Sequence, residues 1–357
     1  MNYITVIVLL FSVVGALDRI FGNRFGIGKE FEKAFNLLGA MALSMIGMIV
    51  ISPFIAELMR PVSAFMENVL HIDASVIPAS LFANDMGGAP LATEMASNAE
   101  IGRFNALVVS SMMGCTISFT IPFALGVVDK EHHSELMFGL LCGIVTIPVG
   151  CFVAGIICGI SFLALIINLV PLIIFSGVLA LGLIYATDLS IKIFKIFGIF
   201  ITVVITIGLS LGIIRFLSGF ELIKGLTPIE EGGAICLNAA IVLSGSFPFM
   251  YILSKVLSKP LGKVGGKIGT NETSVIGVVS TLATSATAFG MMDKMDKKGI
   301  AINSAFAVSG AFILGSHLAF TMAFDSTYIL PVIVGKVVSG ITAAVLAGVM
   351  FDRVNKK

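Results

Sequence analysis

Long apolar runs separated by short polar segments dominate this chain. Nine of these runs are long enough to cross a bilayer as helices, because a hydrocarbon core of about 30 Å requires about 20 residues. They cover roughly residues 2–21, 32–55, 103–127, 136–158, 161–186, 190–215, 232–255, 299–322 and 327–351. The pattern predicts an all-α polytopic membrane protein with about nine transmembrane helices.

Two further stretches, 74–97 and 272–292, are moderately apolar but interrupted. In the first, which contains ANDMGGAPLATEM, Gly87, Gly88 and Pro90 supply a helix break, because glycine adopts unusual φ angles and proline lacks an N–H group. Arms of roughly 11 residues would each be about 17 Å long, which is enough to reach the middle of a bilayer. We therefore predict two re-entrant broken-helix hairpins.

Composition agrees with this pattern. Hydrophobic residues make up 57% of the 357 positions and charged residues 12%, whereas soluble domains carry about 25% charged residues. The five cysteines lie inside apolar runs, as buried hydrophobic residues do, and the four histidines are too few for a His-rich metal site. Residues 4–17 lack a preceding basic segment, so we expect a retained span and not a cleaved signal peptide. The net charge of +1 gives no reason to expect a nucleic-acid partner.

The distribution of basic residues predicts the orientation. If both interrupted stretches return to the side they entered from, 17 of the 22 Lys and Arg fall on one side and 4 on the other. This bias disappears if both stretches cross. Because basic residues are enriched in cytoplasmic loops, we expect the N-terminus outside and the C-terminus in the cytoplasm.

The two halves of the chain align weakly at an offset of 198 to 200 residues. The paired segments are LMRPV with LSKPL, LATEM with MMDKM, and FNALVVS with INSAFAV. We predict a first inverted repeat over 1–160 with its hairpin near 74–97, a linking helix over 161–186, and a second inverted repeat over 187–357 with its hairpin near 272–292. Inverted repeats with broken elements at corresponding positions are typical of secondary transporters, whose substrate lies between those elements.

Three charged residues are predicted at membrane depth, where such residues are costly and commonly functional. Asp85 is the candidate ligand of a cationic substrate, or else it caps the second arm of its hairpin. Glu94 is a candidate second contact or proton site, or it pairs with Lys336. For Lys336 we favour a structural ion pair with one of these two carboxylates, and the sequence leaves open which.

Uncharged polar residues add further candidates. The hairpin tips carry four of them, each able to bind substrate or to cap a hairpin arm: Asn84, Thr284, Ser285 and Thr287. Asn105 and Asn303 occupy equivalent positions in the two repeats and could hydrogen-bond hairpin backbone or contact the ligand. His317 could link transport to protons, since histidine titrates near physiological pH, or it could be structural.

Five segments together resemble a known family: ANDMGGAPLATEM, GIVTIPVGC, FGMMDKMDKKG, SHLAF and PVIVGKVVSG. The chain resembles, over its whole length, the ethanolamine permease family of bacterial ethanolamine-utilisation operons (EutH). The resemblance implies a multi-pass inner-membrane permease for ethanolamine. The positions of this sequence that match the family's motifs are the tip at 85–88, Glu94, Asn303, His317 and Lys336. This chain departs from the family pattern at Ser316, where relatives carry an acid.

We expect import of ethanolamine by alternating access as a uniporter. The alternative is a proton- or cation-coupled transporter of another small amine or cation. No GxxxxGK[ST] motif indicates direct use of ATP. An intramembrane enzyme is disfavoured, because Asp85 has no second aspartate at membrane depth and no metal-binding spacing occurs. A scaffold or sensor would not explain the two hairpins. The expected partners are ethanolamine and lipid, a homo-oligomer remains open, and no cofactor or metal is expected.

Overall fold

A computed structural model describes residues 3–354, with the helical backbone alone for residues 257–268. Lys356 and Lys357 lie outside the described residues. So do the side chains of the LSKPL segment and of Lys259, Lys263 and Lys267.

The described elements are all helical. Short 3₁₀ and π-helical turns separate or extend seventeen α-helices. In chain order these are α1 (Tyr3–Ile20), α2 (Ile27–Asn36), α3 (Leu38–Leu58), α4 (Arg60–Phe65), α5 (Val76–Leu81), α6 (Gly88–Met95), α7 (Ala99–Phe104), α8 (Ile121–Val127), α9 (His133–Ile157), α10 (Phe162–Tyr185), α11 (Thr187–Ser218), α12 (Ile229–Ile268), α13 (Glu272–Thr281), α14 (Ser285–Phe289), α15 (Lys297–Gly310), α16 (Ser316–Phe324) and α17 (Ile329–Val354).

Eight continuous helical stretches of the described chain are long and apolar enough to cross a membrane. They are Tyr3–Ile20, Ile27–Leu58, Ala99–Val127, Lys130–Ile157, Phe162–Tyr185, Thr187–Ser218, Ile229–Val256 and Ser326–Val354. Each matches one of the nine predicted spans. The predicted span at 299–322 is wrong as a single helix, because α15 ends at Gly310 and α16 begins only at Ser316.

The interruption between α15 and α16 has an identifiable cause in the backbone. Phe312 adopts a left-handed conformation with φ of 61°. Its N–H donates to the carbonyl of Thr281 over 3.1 Å, and the N–H of Leu314 donates to that of Leu282 over 2.8 Å. The segment between α15 and α16 thus hydrogen-bonds to the end of α13 instead of continuing its own helix. Hydropathy does not reveal this break, since the apolar run continues through it.

Hydrogen bonds join the two ends of the first interrupted stretch. Asp73 precedes α5, and its Oδ2 accepts hydrogen bonds from the backbone N–H groups of Ser97 and Asn98 over 3.1 and 2.9 Å, just after α6. Asn98 in turn caps the N-terminus of α7. We call this closure the first neck, and residues 73–98 the first broken segment.

The second interrupted stretch is closed in the same way. Asp296 Oδ1 accepts a hydrogen bond from the backbone N–H of Asn271 over 2.8 Å, and Asp296 also caps α15. We call this the second neck, and residues 271–296 the second broken segment. Asp73 lies 198 positions before Asn271, and Asn98 lies 198 positions before Asp296. Where one neck has the aspartate, the other therefore has the asparagine.

The two necks lie at opposite ends of the helix bundle. Helices α3 and α12 run antiparallel, because the carbonyl of Val50 accepts from the N–H of Thr227 just before α12. Far along α12, the hydroxyl of Tyr251 donates to the carbonyl of Phe25, which precedes α2. The first broken segment follows the end of α3, and the second follows the end of α12. The chain therefore enters them from opposite ends.

Helices α9, α15 and α17 form the most tightly packed part of the bundle. A Cβ atom on Gly139 would collide with the carbonyl of Ala301, and one on Gly150 with that of Gly335, so small residues allow these backbones to meet. By contrast, only 17% of the span of α1 and 22% of that of α11 is buried. Their exposed residues are mainly large and apolar, as expected for helices that face lipid.

Candidate functional site

A cavity of about 610 Å³ lies between the turns of the two broken segments. Asp85 and Met86 line it from the first turn, and Thr284 and Thr287 from the second. The remaining wall comes mainly from α2, α3, α12 and the break before α16. The cavity therefore lies between the two stretches that interrupt the helical pattern of the sequence.

Local backbone chemistry sets the position of Asp85. Helix α5 ends at Leu81, and Asn84–Met86 form a single 3₁₀ turn before α6 begins. Gly87 has φ of 101°, and a Cβ there would meet the side chain of Met48. A Cβ on Gly88 would meet the carbonyls of Phe82 and Ala83. Pro90 lies in the first turn of α6, where its missing N–H group costs no intrahelical hydrogen bond. All three predicted helix breakers therefore lie at the turn or just after it.

Three ionisable side chains run inward from the cavity. Asp85, whose side chain is 16% exposed, has its Oδ1 3.8 Å from Nε2 of His317. The other ring nitrogen of His317, Nδ1, lies 3.1 Å from Lys336 Nζ. Lys336 is completely buried and also donates to the carbonyl of Ser111 over 2.6 Å. We call Asp85, His317 and Lys336 the ionisable chain.

The geometry of Lys336 differs from the direct ion pair considered above. Among the described residues it pairs with neither Asp85 nor Glu94, because the imidazole of His317 stands between Lys336 and Asp85. Glu94 lies on the exposed face of α6, beyond the turn, and does not line the cavity. The structure therefore brings Asp85, His317 and Lys336 together and leaves Glu94 apart.

The second turn presents hydroxyl groups to the cavity. Thr284 lines it and accepts a hydrogen bond from the N–H of Ala286 at the start of α14. Thr287 lines it as well. The neighbouring Ser285 is fully buried, and its hydroxyl lacks a hydrogen-bond partner. The second turn thus offers neutral polar groups opposite the carboxylate of the first.

The three candidate asparagines do not line the cavity, and Asn105 donates from Nδ2 to the hydroxyl of Ser75 over 2.9 Å. Asn84 is fully buried beside Asp85, with no hydrogen-bond partner for its side-chain nitrogen or oxygen. Asn303 donates from Nδ2 to the carbonyls of Ser274 and Gly299, over 2.8 and 2.9 Å. Asn303 therefore ties the start of the second broken segment to α15.

Sequence reasoning missed two aromatic residues of the cavity. Phe312 lines it with its ring centroid 5.0 Å from that of His317, and Phe119 lies edge-on to Phe312 at 5.4 Å. Neither could be distinguished from a packing residue in an apolar run. Phe247 also lines the cavity, on the α12 side.

The cavity opens at one end of the bundle. Glu30, Lys33, Tyr251 and Ser254 line this mouth. Lys33 is 54% exposed and forms a 3.2 Å ion pair with Glu30. Asp85 and Glu30 are the carboxylates among the described lining residues, so Asp85 is the one at the inner end. Within the described chain, no cluster of His, Cys, Asp and Glu could hold a metal ion.

Comparisons with known proteins agree on one family. The family model described as "Ethanolamine utilisation protein, EutH" matches residues 1–350. The "Probable ethanolamine permease EutH" of Listeria monocytogenes is 42% identical, over 98% of this chain and 94% of its own. The protein of the same name from Salmonella typhimurium is 37% identical, over 94% and 92%. An "Uncharacterized protein YxeR" from Bacillus subtilis is 37% identical, over 96% and 93%. No solved structure matches the chain.

Proposed function

This chain belongs to the EutH family, and from that premise we propose that it is a permease that moves ethanolamine across the bacterial inner membrane. The observation that carries the proposal is the position of Asp85, the inner carboxylate of the described cavity lining, on a helix break. The relatives are named as permeases and not as enzymes. The eight long apolar helices support a multi-pass membrane protein.

The lining chemistry fits an amino alcohol. Ethanolamine is mainly an ammonium ion at neutral pH and carries one hydroxyl. In our proposal the ammonium group binds the Asp85 carboxylate, a charge-assisted interaction. The rings of Phe119 and Phe312 add cation–π attraction, and Thr284 and Thr287 take the substrate hydroxyl. Asn84, Ser285 and Asn303 then shape the turns without direct contact.

We further propose that the two broken segments are re-entrant hairpins of inverted repeats. Their matching necks at an offset of 198 and their entry from opposite ends support this arrangement. Irregular backbone within a bilayer is tolerated only where protein buries it or water lines it, and the cavity provides such a place. In this arrangement helix α10 is the linker between the repeats that the sequence predicts over 161–186.

The proposed orientation places the cavity mouth in the cytoplasm. Arg19, Lys33, Lys297 and Lys298 belong to the mouth end of the bundle, which also holds the second neck. Under the positive-inside rule this end is cytoplasmic, so the N-terminus is outside and the C-terminus inside. The structure then corresponds to an inward-open state, and alternating access closes the mouth and opens a path on the first-neck side.

Uptake by purified protein in liposomes tests the proposed function. Labelled ethanolamine should accumulate inside in proportion to the protein added. Ethylamine, which lacks the hydroxyl, and ethylene glycol, which lacks the amine, should compete more weakly than unlabelled ethanolamine. Absence of uptake by monodisperse, thermally stable protein would contradict the proposal. Strong competition by ethylamine would favour a transporter of another small amine, the second candidate.

A further inference from the structure

The ionisable chain raises a question of charge balance. Lys336 is completely buried and has no carboxylate partner within ion-pair distance among the described residues, so its nearest negative charge is Asp85, beyond His317. When both are ionised and His317 is neutral, the empty site has no net charge. An ammonium substrate bound to Asp85 would then add an unbalanced positive charge beside Lys336 in a poorly solvated interior, which is strongly unfavourable.

No other group near the site in the described part of the chain can balance that charge. Glu30 lies at the mouth and is paired with Lys33. Glu94 is exposed outside the cavity. Among the residues that the structure describes, the remaining ionisable groups near Lys336 are the thiols of Cys115 and Cys151, and thiols are ordinarily uncharged at neutral pH. The compensating change must therefore occur in Asp85, His317 or Lys336.

Resting on the proposed function, we infer that binding of one ethanolamine cation releases one proton from the Lys336–His317–Asp85 chain, so that the permease exchanges the cation for a proton and moves no net charge. A lysine ammonium has no acceptor, so it donates to Nδ1 of His317, which is then unprotonated. The imidazole proton consequently sits on Nε2, the nitrogen that faces Asp85.

This tautomer allows the proton to move without rotation of the ring. As substrate arrives, one N–H bond of Lys336 breaks and a new one forms at Nδ1 of His317. The N–H bond at Nε2 breaks, and its proton passes to Oδ1 of Asp85, either directly after the 3.8 Å separation closes or through a cavity water. Asp85 then yields that proton to cavity water as the substrate ammonium takes its place. Lys336 ends as a neutral amine, and the loaded site again has no net charge.

Release of substrate reverses these transfers. A proton from water on the receiving side returns through Asp85 to Nε2 of His317, and the Nδ1 proton returns to Lys336. The complete cycle carries one ammonium cation inward and one proton outward. This result equals the net movement of one neutral amine molecule, so a consuming cell draws substrate inward as it would through a uniporter.

Calorimetry provides the first test. Ethanolamine is titrated into purified protein at neutral pH in two buffers with different ionisation enthalpies, such as phosphate and Tris. The difference in binding enthalpy gives the number of protons released, and we expect about one per ethanolamine. We expect Lys336→Met to bind ethanolamine with a release near zero. Binding by wild type without proton release would overturn the inference while leaving the permease proposal intact, whereas no binding at all would count against the permease proposal itself.

The variant also identifies the source of the proton. If Lys336→Met still releases one proton, that proton comes from the ligand, and our assignment to the buried lysine is wrong.

Uptake under a valinomycin-imposed potential gives a second readout that needs only the wild type. Electroneutral exchange predicts the same initial rate with and without an inside-negative potential. Acceleration of wild-type uptake by that potential would overturn the inference, even if Lys336→Met fails to fold.

Discussion

Nδ1 of His317 lies 3.1 Å from Nζ of Lys336, at a depth where neither residue is more than 1% exposed. This contact holds the Lys336 ammonium group against the imidazole. Without it, the ammonium group could approach Asp85 and neutralise the carboxylate directly. Asp85 consequently keeps an accessible edge on the cavity while a buried positive charge remains nearby. In the proposed function, this arrangement leaves Asp85 available to the substrate cation, and the inferred proton release removes the positive charge of Lys336.

The turn of the first broken segment depends on a glycine. We predict that Gly87→Ala lowers uptake at least severalfold, because φ of 101° is strained for alanine and the added Cβ meets Met48. Gly39→Ala is the matched control, since a Cβ on Gly39 in α3 meets no atom within 4 Å. Initial uptake rates at equal reconstituted protein measure both. Equal rates for the two variants would show that the turn does not depend on the glycine conformation.

The aromatic wall should contribute to substrate affinity. We predict that Phe119→Leu raises the KM for ethanolamine about 2- to 30-fold, because a cation–π contact contributes about 0.5–2 kcal/mol and leucine keeps the apolar bulk without the ring face. Phe162→Leu on the exposed face of α10 should leave KM unchanged. A concentration series of uptake rates gives both values. An unchanged KM in Phe119→Leu would show that the Phe119 ring does not contact the substrate.

The first neck should stabilise the fold. We predict that Asp73→Ala lowers the melting temperature in detergent, because it removes the acceptor of the Ser97 and Asn98 N–H groups, with a cost of about 1–3 kcal/mol. Asp188→Ala, at an exposed aspartate in the first turn of α11, is the control. A melting temperature equal to that of Asp188→Ala would mean that the first neck contributes nothing to stability.

Orientation can be tested with single cysteines in a background without the five native ones. Arg60 and Lys297 suit this test because their side chains are 76% and 75% exposed and lie near the first and second necks. We predict that a membrane-impermeant maleimide labels Arg60→Cys in intact cells, and labels Lys297→Cys only after permeabilisation. The opposite pattern would invert the proposed orientation, and labelling of both in intact cells would contradict the opposed entry of the two segments.

Hydropathy predicted the spans well wherever a continuous helix forms. It failed at 299–322, because the break there depends on Phe312 and Leu314 bonding to the second broken segment, a tertiary contact invisible in an apolar run. The turn near Asp85 was predictable, since glycine, proline and charge coincide there. The nine-residue spacing of Asp85 and Glu94 did not reveal that α6 carries Glu94 to an exposed face. The place of His317 between two charges depends on the packing of α16 against α17.

In the proposed function, the carboxylate of Asp85 binds the ethanolamine cation during transport. Ethanolamine uptake into liposomes containing the Asp85→Asn variant tests it most directly, with wild type and Glu94→Gln measured beside it. Loss of a hydrogen bond to a charged group costs about 1.5–3 kcal/mol, so we predict a fall of about 10- to 100-fold in kcat/KM for Asp85→Asn. The Glu94→Gln variant should match wild type, because Glu94 lies outside the cavity. Wild-type kinetics in a well-folded Asp85→Asn protein would contradict the account.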